Sequence, residues 1–296
     1  MKKVAIVTDS NSGITQQQAK EWGVYVVPMP FIVDGEEYFE DISLTQPEFF
    51  EKLEHDAEIS TSQPSIGAVT ELWDDILKTH DEIVHIPMSS GLSESMNTAR
   101  TFAENEYKDK VFVVDNRRIS ITQKGGVQDA INLAKDGYSG KEIKEYLERT
   151  GMDSSIYIMV NTLKYLKKGG RVTPAAAAIG TVLNIKPVLQ IQGGKLDQFA
   201  KVINVKSAKA KMIAAIKEDL ENRFLELVDK DEIRVAVAHT NNDEKAKEFA
   251  KEIEDQLGVT TIYNDPLSLS VACHIGSGAL AIGCFRIYKD NKKAGK

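Results

Sequence analysis

Ile83-Val84-His85-Ile86-Pro87-Met88, followed directly by Ser89-Ser90-Gly91-Leu92-Ser93-Glu94-Ser95, is the stretch whose reading decides the fold. The first half is a short apolar run of strand type, and the second is a hydroxyl-rich turn that opens a helix. A strand feeding a helix start through such a turn gathers amide N–H groups and hydroxyls at one point, where a small anion is stabilised. A second turn of similar design, Ser60-Thr61-Ser62-Gln63-Pro64-Ser65, precedes the helical pattern Ile66, Val69, Leu72, Trp73, Ile76, Leu77. Two such turns predict one anionic head group held between them.

Outward from this stretch, β-rich runs alternate with helical patterns: Val4–Thr8, Val24–Val27, Glu82–Pro87 and Val111–Asp115 read as strands. Alternation of this kind argues for parallel strands joined by helical crossovers. Thr15-Gln16-Gln17-Gln18 and Thr45-Gln46-Pro47-Glu48 read as capping boxes that fix two helix starts. Past a helix at Lys141–Arg149 and a strand at Ser155–Val160, the character changes. Lys164 to Lys168 runs into Gly169-Gly170, and Thr173-Pro174 caps an alanine-rich segment, Ala175–Val182. Strands at Val188–Gln192, Arg234–His239 and Thr260–Tyr263, with helices over Ala208–Val228 and Glu244–Leu257, complete a second α/β unit. The expected domains are 1–160 and 161–296.

The chain has 296 residues, of which 42% are hydrophobic and 27% charged, enough to bury a full core. Its net charge of −7 and pI near 5.4 supply no basic field for a polyanion, which argues against nucleic acid as a partner. No run reaches membrane-spanning length and the N-terminus lacks a signal-peptide pattern, so a cytoplasmic location is expected. Two cysteines, Cys273 and Cys284, read as buried free thiols, and no metal-ligand cluster is spaced along the chain.

Asp9-Ser10-Asn11-Ser12-Gly13, the Ser89–Ser95 turn and Asp115-Asn116 fall at strand ends, where ligands bind in open α/β sheets. Asp9 invites a phosphoryl-acceptor role, but the second aspartate such chemistry wants is Asn11, so Asp9 reads as a hydrogen-bonding turn residue. Cys273 and His274 do not read as nucleophile and base, because neighbours on a strand point to opposite faces. His274 reads better as a donor to an anion, and its glycine-rich surroundings imply close approach to the backbone. Gly276-Ser277-Gly278-Ala279-Leu280-Ala281 matches a dinucleotide fingerprint formally but lacks the βαβ unit it needs. Among the cations around the glycine pair, Lys164, Lys167 and Lys168 complement a helix C-terminus. Arg171 lies past it and is free to meet an anion or a partner. Phosphate loops, kinase catalytic loops and nucleophile elbows are missing from the sequence.

Six ordered motifs then make a pattern: Asp9-Ser10-x-Ser12-Gly13, Thr61-Ser62-Gln63-Pro64-Ser65, Ser89-Ser90-Gly91-Leu92-Ser93, Leu166-x-x-Gly169-Gly170-Arg171-Val172, Leu183-x-Ile185-Lys186-Pro187-Val188 and His274-Ile275-Gly276-x-Gly278-Ala279-Leu280. Together they resemble the DegV family of bacterial fatty-acid-binding proteins over nearly the whole chain. The resemblance implies a two-domain DegV-like α/β fold, an N-terminal mostly parallel sheet with flanking helices plus a C-terminal α/β domain, with an apolar lipid tunnel near the interface. It implies one long-chain fatty acid, such as palmitate, as ligand and no cofactor. By position, Thr61, Ser62, Ser93 and His274 would bind the carboxylate, and Arg171 would complete the polar end or the face offered to a partner. Phe31, Ile66, Ile158, Ile179, Leu183 and Leu189 are the expected acyl walls. The partner implied is a separate ATP-binding fatty acid kinase subunit that makes the acyl phosphate, so the chain itself is expected to be a lipid-binding or lipid-transport protein without a catalytic set. Departures from the family pattern include Glu94-Ser95 after the Ser93 turn, Asn116 in a usual serine position, and Lys206 where arginine is usual.

Two other functions fit parts of the sequence. A phosphotransferase-like enzyme acting on a small keto or phosphorylated substrate would use Asp9 or His274 and would need only a short polar pocket. A purely regulatory interaction protein would show no pocket and an exposed apolar patch.

Overall fold

The computed structural model describes residues 2–178 and 185–289. Ile179 and Leu183, two of the expected acyl walls, lie outside the described residues. The strands β1 (Val4–Asp9), β2 (Tyr25–Val27), β6 (Glu82–Ile86) and β7 (Val111–Val113) form a parallel sheet in the order β2-β1-β6-β7. Continuous burial along β6 explains why it reads as an unbroken apolar run: helices cover both of its faces. On one face pack α3 (Ile66–Leu77) and α4 (Ser95–Glu106) around Trp73 and Met96. On the other, α1 (Gln16–Trp22), α5 (Ser120–Lys135) and α6 (Gly140–Arg149) bury Ala19, Val127, Leu133, Ile143 and Leu147.

A second, six-stranded sheet contains β8 (Ser154–Met159), β9 (Lys186–Ile191), β10 (Asp197–Val202), β11 (Ile233–His239), β12 (Thr261–Pro266) and β13 (Leu280–Arg286). Its order is β10-β9-β8-β13-β11-β12, with β11 and β12 the parallel pair. Alternation along β8 splits its side chains. Tyr157 and Met159 face a layer formed with α9 (Val205–Glu218) and α11 (Asp243–Leu257), while Ile156 and Ile158 face inward. Since β8 pairs with β9 and β13, sheet pairing crosses the expected 160/161 boundary by one strand.

Helix α5 is the layer shared by the two sheets. A side chain at Gly125 would meet the Phe285 ring of β13 at 2.2 Å, so only glycine permits this helix-to-sheet contact. Further toward the start of the helix, a side chain at Gly283 would lie 3.1 Å from Ile121 Cδ1. A small antiparallel sheet, β4-β3-β5, built from β3 (Pro30–Val33), β4 (Glu36–Phe39) and β5 (Ile59–Thr61), sits with α2 (Gln46–Glu54) and α12 (Leu269–Ile275) around Phe31, Phe49 and Cys273. Both capping boxes form. Gln18 N–H donates to Thr15 Oγ1 at 3.1 Å, and Glu48 accepts from Thr45 N–H at 2.8 Å. The helix expected over Ala208–Val228 is instead α9, a π-turn at Asp219–Arg223, and the short α10 (Leu225–Asp229).

Candidate functional site

The Ser89–Ser95 turn is locked from three sides. Ser89 N–H donates to Arg118 O at 2.9 Å, and its Oγ donates to Gly193 O at 3.0 Å. Ser90 Oγ donates to Asp115 Oδ2 at 2.6 Å. Asp9, just upstream in space, accepts from Met88 N–H at 2.8 Å, from Asn11 N–H at 3.0 Å and from Gln123 Nε2 at 3.1 Å. Burial pushes its carboxyl up to about 6 against those donors. The three strand-end turns therefore meet, and Asp9 and Asp115 serve as acceptors that hold the loops. A side chain at Gly91 would come within 2.8 Å of Gly194 Cα, so the turn and the β9–β10 hairpin touch backbone to backbone. With Ser89 and Ser90 committed to the scaffold, Ser93 is the hydroxyl of this turn that lines the cavity, where it accepts from Ser95 N–H at 3.2 Å and donates to Ser95 Oγ at 3.0 Å.

That cavity, about 240 Å³, is far larger than the ~10–15 Å³ one water needs. Thr61, Ser62, Ser93, Arg171 and His274 all line it. They arrive from four places: the end of β5, the turn before α4, the loop after α7 (Lys164–Gly169) and α12. Thr61 Oγ1 lies 2.9 Å from His274 Nε2. Burial, with a smaller contribution from the Arg171 charge, pushes the His274 imidazole down to about 4, so it is neutral at pH 7. Arg171 follows Gly170, whose left-handed backbone at φ 67° ends α7. The guanidinium donates to Leu92 O through Nε at 3.3 Å and to Gly169 O through Nη1. Among the described residues its Nη2 has no partner. The polar lining of the cavity thus combines hydroxyls, a neutral imidazole, one cation and the Glu94 carboxylate.

Most of the remaining wall is hydrocarbon: Ile121, Ile156, Ile158, Ile191 and Ala281, with Met29 and Met88, all come from the core between α5 and the second sheet. Ile158 lines the cavity as expected of it. Leu189 is buried in the adjoining core without lining it, and Phe31 faces away, ringed by Phe49 and Tyr38. Ile66 lies beside a separate small cavity under α4. Ile156 was legible from Ile158 by strand alternation, two residues apart on one face. Asn11, Ser120 and Ser270, which also line the cavity, carried no sequence signal beyond turn propensity.

The Cys273–His274 pair lies on a helix rather than the strand the sequence suggested, yet the two residues still part ways. Burial pushes the Cys273 thiol up to about 12 within the Phe31 cluster. Gly276–Ala281 links α12 to β13, a helix-to-strand turn opposite in sense to a dinucleotide loop. Lys206 is exposed on α9, away from the cavity. Among the described residues no group of three His, Cys, Asp or Glu side chains could hold a metal ion, and no helix is long and apolar enough to cross a membrane.

Comparison with known proteins bears directly on this arrangement. Protein DegV of Bacillus subtilis (strain 168) is 29% identical over 287 residues, covering 96% of this chain and 99% of that protein. The structure of a DegV family protein from Thermus thermophilus, described for its fatty acid binding, superimposes with a TM-score of 0.85 at 26% identity over 96% of this chain and 100% of that one. The crystal structure of DegV from Bacillus subtilis, described as a fatty acid binding protein, gives a TM-score of 0.81 at 28% identity over 97% of this chain and 100% of that one. The α/β architecture is that of a known fold. The DegV family profile matches residues 3–286, and the chain belongs to the DegV family.

Proposed function

We propose that this protein binds one long-chain fatty acid, its carboxylate held by Thr61, Ser62, Ser93 and His274, with Arg171 completing the polar end or the face offered to a partner. The observation that carries the reading is a single cavity whose lining joins hydroxyls, an imidazole and a guanidinium to a largely hydrocarbon wall. Burying about fifteen methylenes at roughly 0.8 kcal/mol each offers on the order of 12 kcal/mol before the cost of association. The tail supplies the affinity. A carboxylate entering a dry site must be met by donors or its desolvation cancels much of that gain. Neutral hydroxyls and an uncharged imidazole meet it without neutralising its oxygens, which leaves the acid competent as a phosphoryl acceptor.

In this reading both units, 1–160 and 161–296, supply walls, and the chain presents its ligand rather than transforming it. A separate kinase subunit would bring ATP and Mg²⁺, pass the γ-phosphoryl group to a carboxylate oxygen and release ADP, because phosphoryl transfer needs metal and phosphate clamps. The fatty-acid-binding descriptions of the two structural relatives support the ligand class.

Native mass spectrometry of purified protein is expected to show a stoichiometric long-chain fatty acid. Protein that is repeatedly empty and also ignores added palmitate refutes the reading. The double variant Ser93→Ala with Thr61→Ala is expected to weaken palmitate binding by about 10- to 100-fold with an unchanged circular dichroism spectrum.

A further inference from the structure

Two further buried polar groups that line the cavity are not among the residues assigned to the carboxylate. Asn11 is 2% exposed and lines the cavity. Its Oδ1 accepts from Ser268 Oγ at 3.0 Å and from Ser270 Oγ. Its Nδ2 meets Met88 Sδ at 2.8 Å and, among the described residues, no other acceptor. A thioether accepts weakly and an amide nitrogen carries two N–H groups, so donor capacity is left over. The amide orientation follows from the same contacts: reversed, its oxygen would press on a sulfur that has no hydrogen to give.

The second group is Ser120, held at φ 55° where α5 begins. It is 6% exposed, lines the same cavity and has no hydroxyl partner among the described residues. Its helix runs for 16 residues from Ile119, which provides no side-chain cap, so the first-turn N–H groups add positive potential at this point. That helix packs against the Ser10–Ser12 turn that carries Asn11. Donors left over beside the isoleucine, leucine, methionine and alanine of this lining call for an acceptor that a plain hydrocarbon chain does not bring.

We infer that Asn11 and Ser120 form a second polar station in the cavity that receives an oxygen substituent, hydroxyl or oxo, on the acyl chain, making an oxygenated long-chain fatty acid the preferred ligand. This rests on the fatty-acid reading above. In a wholly apolar tunnel a chain hydroxyl loses its water without compensation and binds more weakly than the parent acid. At a matched donor it binds more tightly.

Displacement of a fluorescent fatty acid by stearate, oleate and a series of hydroxystearates differing in hydroxyl position tests this. One positional isomer is expected to compete about 3- to 10-fold better than stearate. Asn11→Leu and Ser120→Ala are each expected to erase that advantage while stearate still binds. Because Asn11 also anchors two serines, Ser120→Ala is the variant that decides if Asn11→Leu fails to fold. The inference is overturned if no isomer exceeds stearate, or if Ser120→Ala keeps the preference. A protein that takes up none of these acids defeats the fatty-acid reading itself, and this one with it, which stearate binding alone distinguishes.

Discussion

The two hydroxyl-bearing turns bordering the cavity are built in opposite ways. Ser89–Ser95 is fastened by Asp115, Arg118 and Gly193 and shut against the β9–β10 hairpin, so Ser93 sits on a rigid support. In Ser60–Ser65, Thr61 is fixed by β-pairing with Phe31 and by the His274 contact. Beyond it Ser62 and Gln63 are exposed, and the Ser62 hydroxyl has no partner among the described residues. One polar wall of the cavity is preorganised and the other is adaptable at its rim. Preorganised donors lose no order when an anion arrives, whereas rim groups must give up freedom to bind.

The contrast breaks most severely at Gly91. Gly91→Val places a side chain against backbone that has nowhere to move, and we expect about 1–3 kcal/mol of destabilisation in urea unfolding, accompanied by lost ligand binding. A smaller effect sharpens the role of His274. Free, its imidazole titrates near 4, and a carboxylate seated beside it raises that value, so the complex holds more proton than the free protein between pH 4 and about 6.5. Binding is therefore expected to take up a fraction of a proton at pH 5.5, visible as buffer-dependent heat in calorimetry, and His274→Asn is expected to remove it. The smallest effect belongs to the loose rim. Gln63→Ala gives up one exposed contact with Thr98 Oγ1, and both stability and palmitate affinity are expected to stay within about 0.5 kcal/mol.

Legibility in the sequence follows the same division. Capping residues, the apolar parallel strands and the hydroxyl turns obey local rules, so Thr15, Thr45 and the run into Ser89 announce their elements. The β3–β5 sheet was unreadable because β4, Glu36-Glu37-Tyr38-Phe39, is short, with two exposed residues followed by two half-buried ones and no alternation. The Thr61 and Ser93 turns were paired on their own design, whereas bringing Arg171 and His274 to the same head group came from resemblance, since no local spacing relates residues so far apart. Side-chain direction was the weakest point. Phe31 is as apolar as any cavity residue, but the register that sets it opposite Thr61 belongs to pairing between strands, which hydrophobicity alone does not reveal.

The contact of Gly125 with the Phe285 ring has a geometric consequence for the space between helix and sheet. Helix and sheet touch there, are spaced by the Ile121 side chain at Gly283, and part by the time Ile121 and Ala281 border open space. The gap is a wedge whose apex lies at a glycine, and a methyl group added there would have to pry helix and sheet apart.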